Sequence, residues 1–346
     1  MFDLELNQAH KHAVHSMWKA LDAEPAARAG RALRRCCVEA LRWHGPDPLL
    51  GLEGIDAFVS GFWAPLQAAL PDLVRHTWIL HGGPSNGRRD GDWRRDGRHW
   101  VGGTGVFAGT FAHDFLGLPA SGTPVSLRWG EYHRFEGGRI VETFCLLDLP
   151  DLMEQAGRPL LPPCRGVPGL YPPPRALDGV LLAAQPEAHS RQSLEHVHGF
   201  IFSGLNRFDR HDLASMGMAR WFHPQVKWYG PGGIGACLDL AAFERDHQRP
   251  WLAAYPDRKV QDLDALIAEG AYSGGPGWAG VVATHTGPYL DQPASGRRVR
   301  FNGMDWWKRE GDQYVENWVF VDMVHLFRQF GVDLLARARA AGTGQA

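Results

Sequence analysis

The chain has 346 residues, room for two domains, with 44% hydrophobic residues and a formal net charge of −2. So even a balance carries neither the basic footprint of a nucleic-acid binder nor an acidic tail. Cys36, Cys37, Cys145, Cys164 and Cys237 form no CxxC pair, and neither a basic-then-apolar leader nor a membrane-length apolar run is present, so a reduced cytoplasmic protein with no membrane partner is expected.

In chain order, Leu6, Ala9, Ala13, Met17 and Leu21 recur at helical spacing and predict a helix. Pro25 opens a second, to about Leu33. Cys36–Trp43 reads as a strand. Asp56–Leu70 reads as a helix that Pro65 kinks or breaks. Strands follow at Val74–Leu80, Trp100–Thr110, Val125–Phe135 and Arg139–Leu147, the last two joined by Glu136-Gly137-Gly138. A helical turn closes this half at Pro150–Ala156. Turn formers fill Gly82–Gly97 and predict a long exposed hairpin loop, with a flap over a ligand as the alternative. Seven prolines between Pro159 and Pro174 predict a stiff linker. Beyond it come helices over Arg191–Asn206 and near Leu213–Met218, a strand at Val226–Tyr229 and a helix over Leu240–Tyr255 with Pro250 inside. Strands at Ala265–Tyr272, Gly280–Tyr289, Val299–Lys308 and Tyr314–Asp322 complete the chain.

The two series are one pattern written twice. A shift of 174 brings Ser121-Gly122 onto Ser295-Gly296, Glu136-Gly137 onto Glu310-Gly311, and Asp148, Leu152, Gln155 and Gly157 onto Asp322, Leu326, Gln329 and Gly331. Upstream, a shift of 185 brings Trp43, Gly45, Pro46, Pro65 and Asp72 onto Trp228, Gly230, Pro231, Pro250 and Asp257. The first half therefore holds 11 more residues, within Leu73–Pro119. Residues 1–158 and 188–346 are read as two domains and 159–187 as the linker. Helices followed by strands in each half predict an α+β fold, with helices over one face of a curved antiparallel sheet.

Both halves resemble SnoaL-like polyketide cyclases, within the nuclear-transport-factor-2-like superfamily. The residues that carry the resemblance are Trp-x-Gly-Pro before the long helix, Pro71-Asp72 and Pro256-Asp257 after it, Thr284-His285-Thr286-Gly287, Leu118–Val125 with its mate Gln292–Val299, and the closing Glu316…Asp322…Leu326…Gln329…Gly331. The resemblance implies two tandem cone-shaped α+β barrels, each with a deep pocket, packed as an intramolecular pseudo-dimer. A homo-oligomer is a further possibility in this superfamily. It also implies cofactor-free enolisation of a hydrophobic carbonyl compound, of cyclase or isomerase type. A non-catalytic protein that binds a small apolar ligand is the alternative. The family's catalytic aspartate falls at Val319 and Cys145, neither of them a base. Its pocket histidine falls at Asp305 and Glu131, which puts the expected acid on the neighbouring strand; a slip of register would instead favour Asp322 or Asp148.

Enolate chemistry needs a carboxylate or histidine whose pKa is raised by an apolar pocket, and donors aimed at the oxygen. Alternation puts Asp305 in a row with Val299, Phe301 and Trp307, and Glu131 with Leu127, Trp129 and His133. Asp305, Glu131, His133, His285 and Asn317 are the catalytic candidates. Tyr229, His44, Trp129, Trp307 and Trp318 are the substrate-binding ones, although Trp318 has the opposite parity. The competing roles are a buried ion pair with Arg300 or Arg128 for the acids, a core position for His285, and helix capping for Asp148 and Asp322. His196 and His198 diverge on a helix, and no Cys/His cluster has metal spacing, so no metal is expected. Gly230–Gly235 fits GxGxxG but lacks a βαβ unit, so no dinucleotide cofactor is expected.

Overall fold

The computed structural model describes residues 3–92, 95–209 and 211–342. Asp3 caps the first helix, Leu4–Ala23, by accepting from the amide of Leu6, and Val14, Met17, Trp18 and Leu21 form its buried stripe. After the helix Ala26–Leu33 come β1 (Cys37–His44) and β2 (Gly51–Glu53). The predicted helix over Asp56–Leu70 is continuous. A π-helical turn, Val59–Trp63, lies between Ile55–Phe58 and Ala64–Ala69 and accommodates Pro65, which has no N–H to give the helical ladder. Then follow β3 (Val74–Asn86), β4 (Arg95–Thr110), β5 (Pro124–Glu136), β6 (Arg139–Leu147) and a helix, Leu149–Gln155.

The second half repeats this course. Helix Glu187–Gly199 runs into a π turn, Phe200–Gly204, and short helical pieces lead to β7 (Phe222–Tyr229) and β8 (Ala236–Cys237). Leu240–Ala242 and Arg249–Ala254 flank another π turn, Phe243–Gln248, again just ahead of a proline, Pro250. Next come β9 (Lys259–Val260), β10 (Ile267–Glu269), β11 (Tyr272–Thr284), β12 (Arg298–Glu310) and β13 (Gln313–Val321). Here the expected boundary fails. Gly274–Gly277 is extended β11, with a register shift between Gly277 and Val281, and the turn lies at Gly270. A side chain at Gly275 would meet the carbonyl oxygen of Ala265 at 2.0 Å, so the glycines there allow close backbone approach.

The fold is mixed α+β. The first sheet has the order β2-β1-β6-β5-β4-β3, and the second β10-β11-β12-β13-β7-β8, with β9 also on β11. Both are mixed and not purely antiparallel, because β1 lies parallel to β6 and β7 parallel to β13. Equivalent pairs match: Trp43 lies opposite Thr143 and Trp228 opposite Asn317, while Glu131 lies opposite Cys145 and Asp305 opposite Val319.

One face of each sheet packs on the other sheet. Tyr132 and Trp306 stack with ring centroids 4.9 Å apart, among Phe144, Leu146, Tyr229, Trp318 and Phe320. The proline-rich stretch runs through this seam. Tyr171 shares a hydrogen bond of 2.8 Å with Thr104, and the Pro172 carbonyl accepts from the Trp318 indole at 2.8 Å. Asp148 caps Leu149–Gln155 and also accepts from the Gly232 amide at 2.9 Å; Asp322 caps Met323–Phe330 and accepts from the Asp47 amide at 2.9 Å. The glycines at Gly230–Gly235 serve this contact, since a side chain at Gly232 would meet the Asp151 amide at 2.5 Å. The β3–β4 hairpin, expected to be exposed, lies on the second half: the Arg88 Nη1 donates to the Leu263 carbonyl at 2.8 Å, and the Asn86 amide to the Leu266 carbonyl at 3.1 Å.

Candidate functional site

Between the second sheet and its helices lies a cavity of about 190 Å³. Its wall is largely apolar: Phe200 and Ile201 from one π turn, Phe243 from another, Trp251, Val260, Val281, Phe301, Trp307 and Val319. Five polar side chains join it, namely His247, Gln248, Arg258, Asp305 and Asn317. The π turn Phe243–Gln248 brings His247 and Gln248 into the wall, in keeping with the frequent use of such turns at sites.

Asp305 is the central group. Burial raises its pKa to about 7, opposed only by a hydrogen bond from Asn317, whose Nδ2 stands 3.3 Å from Asp305 Oδ1. No cation pairs with it among the described residues. Trp307, on the same face, has a buried indole N–H without a hydrogen-bond partner. Such a donor in a cavity wall is available to a ligand oxygen.

The equivalent space in the first half is filled. Pairing aligns Arg75–Phe107–Leu127 with Val260–Val281–Phe301, and Trp129 with Gly303. Arg75, Phe107 and Trp129 thus stand where the open cavity has Val260, Val281 and Gly303. The Arg75 guanidinium lies over Trp18, Trp63, Phe107 and Trp129, with its carbon 4.7–5.5 Å from the ring centroids. It bonds Asp22 at 3.1 Å and lies 3.9 Å from Glu131. Glu131 also accepts from the Trp18 indole at 2.6 Å, and His133 Nε2 lies 3.3 Å away. Burial alone would raise Glu131, but His133, Arg75 and Trp18 outweigh it and hold the carboxyl below its usual value.

Asp305, Asn317 and Trp307 therefore meet in one cavity, whereas Glu131, His133 and Trp129 meet in a packed core. The arginine against Glu131 is Arg75, not Arg128, which is bound to Asp148 and Asp151. The other candidates lie elsewhere. His285 stacks on Phe330 and bonds Ser295, outside the cavity wall. Tyr229 and Trp318 face the seam between the sheets, where Trp318's parity already pointed. His44 stacks on Phe144 and lies 3.0 Å from Glu142. Asp148 and Asp322 cap helices, as described above.

Arg258, His247 and Gln248 were not singled out from sequence. Their signal is disagreement between the halves: at the shift of 185 they stand against Leu73, Phe62 and Trp63, polar groups where the first half is apolar. A second hollow, of about 460 Å³, is lined by Pro162, Pro163, Arg165, Asp246 and Asp291 and shares Ile234 and His247 with the cavity. Among the described residues no group of three or more His, Cys, Asp or Glu is placed to hold a metal, no helix is long and apolar enough to cross a membrane, and the five cysteines are free thiols.

No curated protein matches the chain. Among solved structures it is similar to AclR of Streptomyces galilaeus (20% identity, TM-score 0.34, 41% of this chain and 97% of that one). It is also similar to TsrD of Streptomyces laurentii (24%, 0.32, 42% and 97%) and to a SnoaL-like polyketide cyclase of Agrobacterium tumefaciens (21%, 0.31, 40% and 98%). Residues 241–330, which supply much of the open cavity's wall, match the family model of the SnoaL-like polyketide cyclases.

Proposed function

We propose that the second half is a cofactor-free catalyst of SnoaL-like type that enolises a hydrophobic carbonyl compound. Ionised Asp305 removes a proton from the carbon next to the carbonyl. The electron pair moves onto the carbonyl oxygen, and the Trp307 N–H is the donor available to that oxygen. Asn317 orients the Asp305 carboxylate. The enolate then attacks a second carbonyl carbon, closing a ring whose new alkoxide takes the proton from Asp305, or takes the proton back from Asp305 at another carbon; these are the cyclase and isomerase outcomes. Asp305 lies directly opposite Val319, the position where the resemblance expects the family's base, so a carboxylate reaches the same space from the neighbouring strand.

The observation that carries this reading is a carboxyl in an apolar cavity with no cation against it and a pKa near 7. Glu131 has the opposite setting, fixed by Arg75 among indole rings, so the first half serves as a structural partner. The two halves are proposed as tandem copies packed as an internal pseudo-dimer. In support, the stacked residues Tyr132 and Trp306 are repeat mates, and Asp148 and Asp322 make reciprocal contacts, as a two-fold interface requires.

The test is proton–deuterium exchange at the activated carbon of 2-tetralone, followed by NMR. The unaltered protein is expected to accelerate exchange, with a rate that rises with pH through about 7. Asp305→Asn should lose at least about a hundredfold, while Glu131→Gln keeps its rate. Exchange that is equally fast in Asp305→Asn contradicts the assignment.

A further inference from the structure

Asp305 shares its cavity with a cation. Arg258 follows the helix Arg249–Ala254 and lines the wall beside Val260. Its Nη2 donates to the Leu205 carbonyl at 2.7 Å and lies 3.2 Å from Met216 Sδ. No carboxylate among the described residues pairs with it. The contrast is Arg75, the first half's buried arginine, which has both Asp22 and Glu131. A guanidinium carries five N–H donors in a planar fork, and among the described residues the contacts of Arg258 engage only one of its nitrogens. Burial pulls its pKa down to about 10, with no neighbouring acid to offset it. Burial, and then the Arg258 charge, hold His247 near 3 and so neutral. Arg258 and Asp305 both line this cavity, and no ion pair joins them among the described residues.

A half-buried arginine without a counter-ion in an apolar wall is costly unless a ligand supplies the charge. A carboxylate matches the fork in both geometry and sign. We propose that the ligand of this cavity is a hydrophobic carbonyl compound that bears a carboxylate, which docks on Arg258 and leaves the reacting carbon to Asp305. This rests on the enolisation reading of the same cavity and adds the chemical class of the substrate.

The probes are 2-naphthoate and its neutral analogue 2-naphthamide. Each is titrated into the full-length protein at pH 6 with tryptophan fluorescence as readout, since Trp228, Trp251 and Trp307 line the cavity. Naphthoate is expected to bind at least about tenfold more tightly. Arg258→Met should abolish that preference and leave naphthamide affinity unchanged, which also shows that the cavity still folds. Arg258→Lys, which keeps the charge but loses the fork, should retain only part of it. Equal affinity of the two probes for the unaltered protein, binding of neither, or an undiminished preference in either variant overturns the proposal. Equal affinity of the two probes for the unaltered protein, beside intact Asp305-dependent exchange, removes this inference alone. A preference without Asp305-dependent exchange leaves a carboxylate-binding cavity and removes the catalytic reading.

Discussion

Two acids at matching places in two sheets meet different fates, and their neighbours decide which. Glu131 has a guanidinium, an imidazole and an indole N–H around it, while Asp305 has one amide. The sign of the linkage follows. The folded pKa of Asp305 is raised from 3.8 to about 7, so its contribution to stability is full below pH 4 and is lost as pH rises through 7. Asp305→Asn should therefore be more stable than the unaltered protein at pH 8, by roughly 2 kcal/mol or more, and equal to it at pH 4; urea unfolding at both pH values checks this. Arg75→Met should cost roughly 3–5 kcal/mol, because it strands Glu131 and Asp22, and adding Glu131→Gln should recover part of the loss. Strand parity made Asp305 and Trp307 legible as one face in the sequence, since an acid in an apolar row is visible by alternation. Parity did not say which face packs on the other sheet, and Tyr229 belongs to that seam. Arg258 escaped because it lies just ahead of a two-residue strand, where periodicity carries no information.

At the scale of elements, prolines and caps explain where reading along the chain succeeded and where it stopped. The helix around Pro65 was legible from its apolar spacing and the one around Pro250 from the repeat, but their π turns were not, because a widened turn leaves no mark in composition. The capping alternative for Asp148 and Asp322 follows from their place between strand and helix. Their second bond, to the loop of the other half, is a long-range fact that no local pattern contains. Asp148→Ala and Asp322→Ala should each cost about 1–3 kcal/mol, measured by chemical denaturation, because each removes a cap and a buried bond between the halves. The turn formers of Gly82–Gly97 gave the hairpin but not its resting place on Leu263–Leu266, two of whose residues, Leu263 and Leu266, line the cavity. Arg88→Ala should therefore speed amide hydrogen exchange at Leu263, whose N–H donates to the Arg88 carbonyl at 3.3 Å, and leave β12 unaffected.

On the scale of the whole molecule, the two sheets bury aromatic faces against each other and the proline-rich stretch is built into the seam. Lys11 of the first half and Glu269 of the second form a buried ion pair there, and Glu269 also accepts from Asn7 at 2.9 Å and from Gly82 at 2.8 Å. Residues 1–158 expressed alone should consequently aggregate or stay partly unfolded, and co-expression with 159–346 should restore a soluble complex; size-exclusion chromatography distinguishes the two. The internal repeat announced the matching strand orders. What it concealed is that the halves differ in their interiors, one filled with Arg75 and Trp129, the other open at Val260 and Gly303. The account stands or falls on the state of the acid in that open space. Carbon-13 NMR titration of the aspartate carboxyls, with Asp305→Asn to identify the resonance, reads it directly. A midpoint near pH 7 is the predicted result, and a midpoint below about 5, the ordinary range for an exposed or paired aspartate, would contradict it.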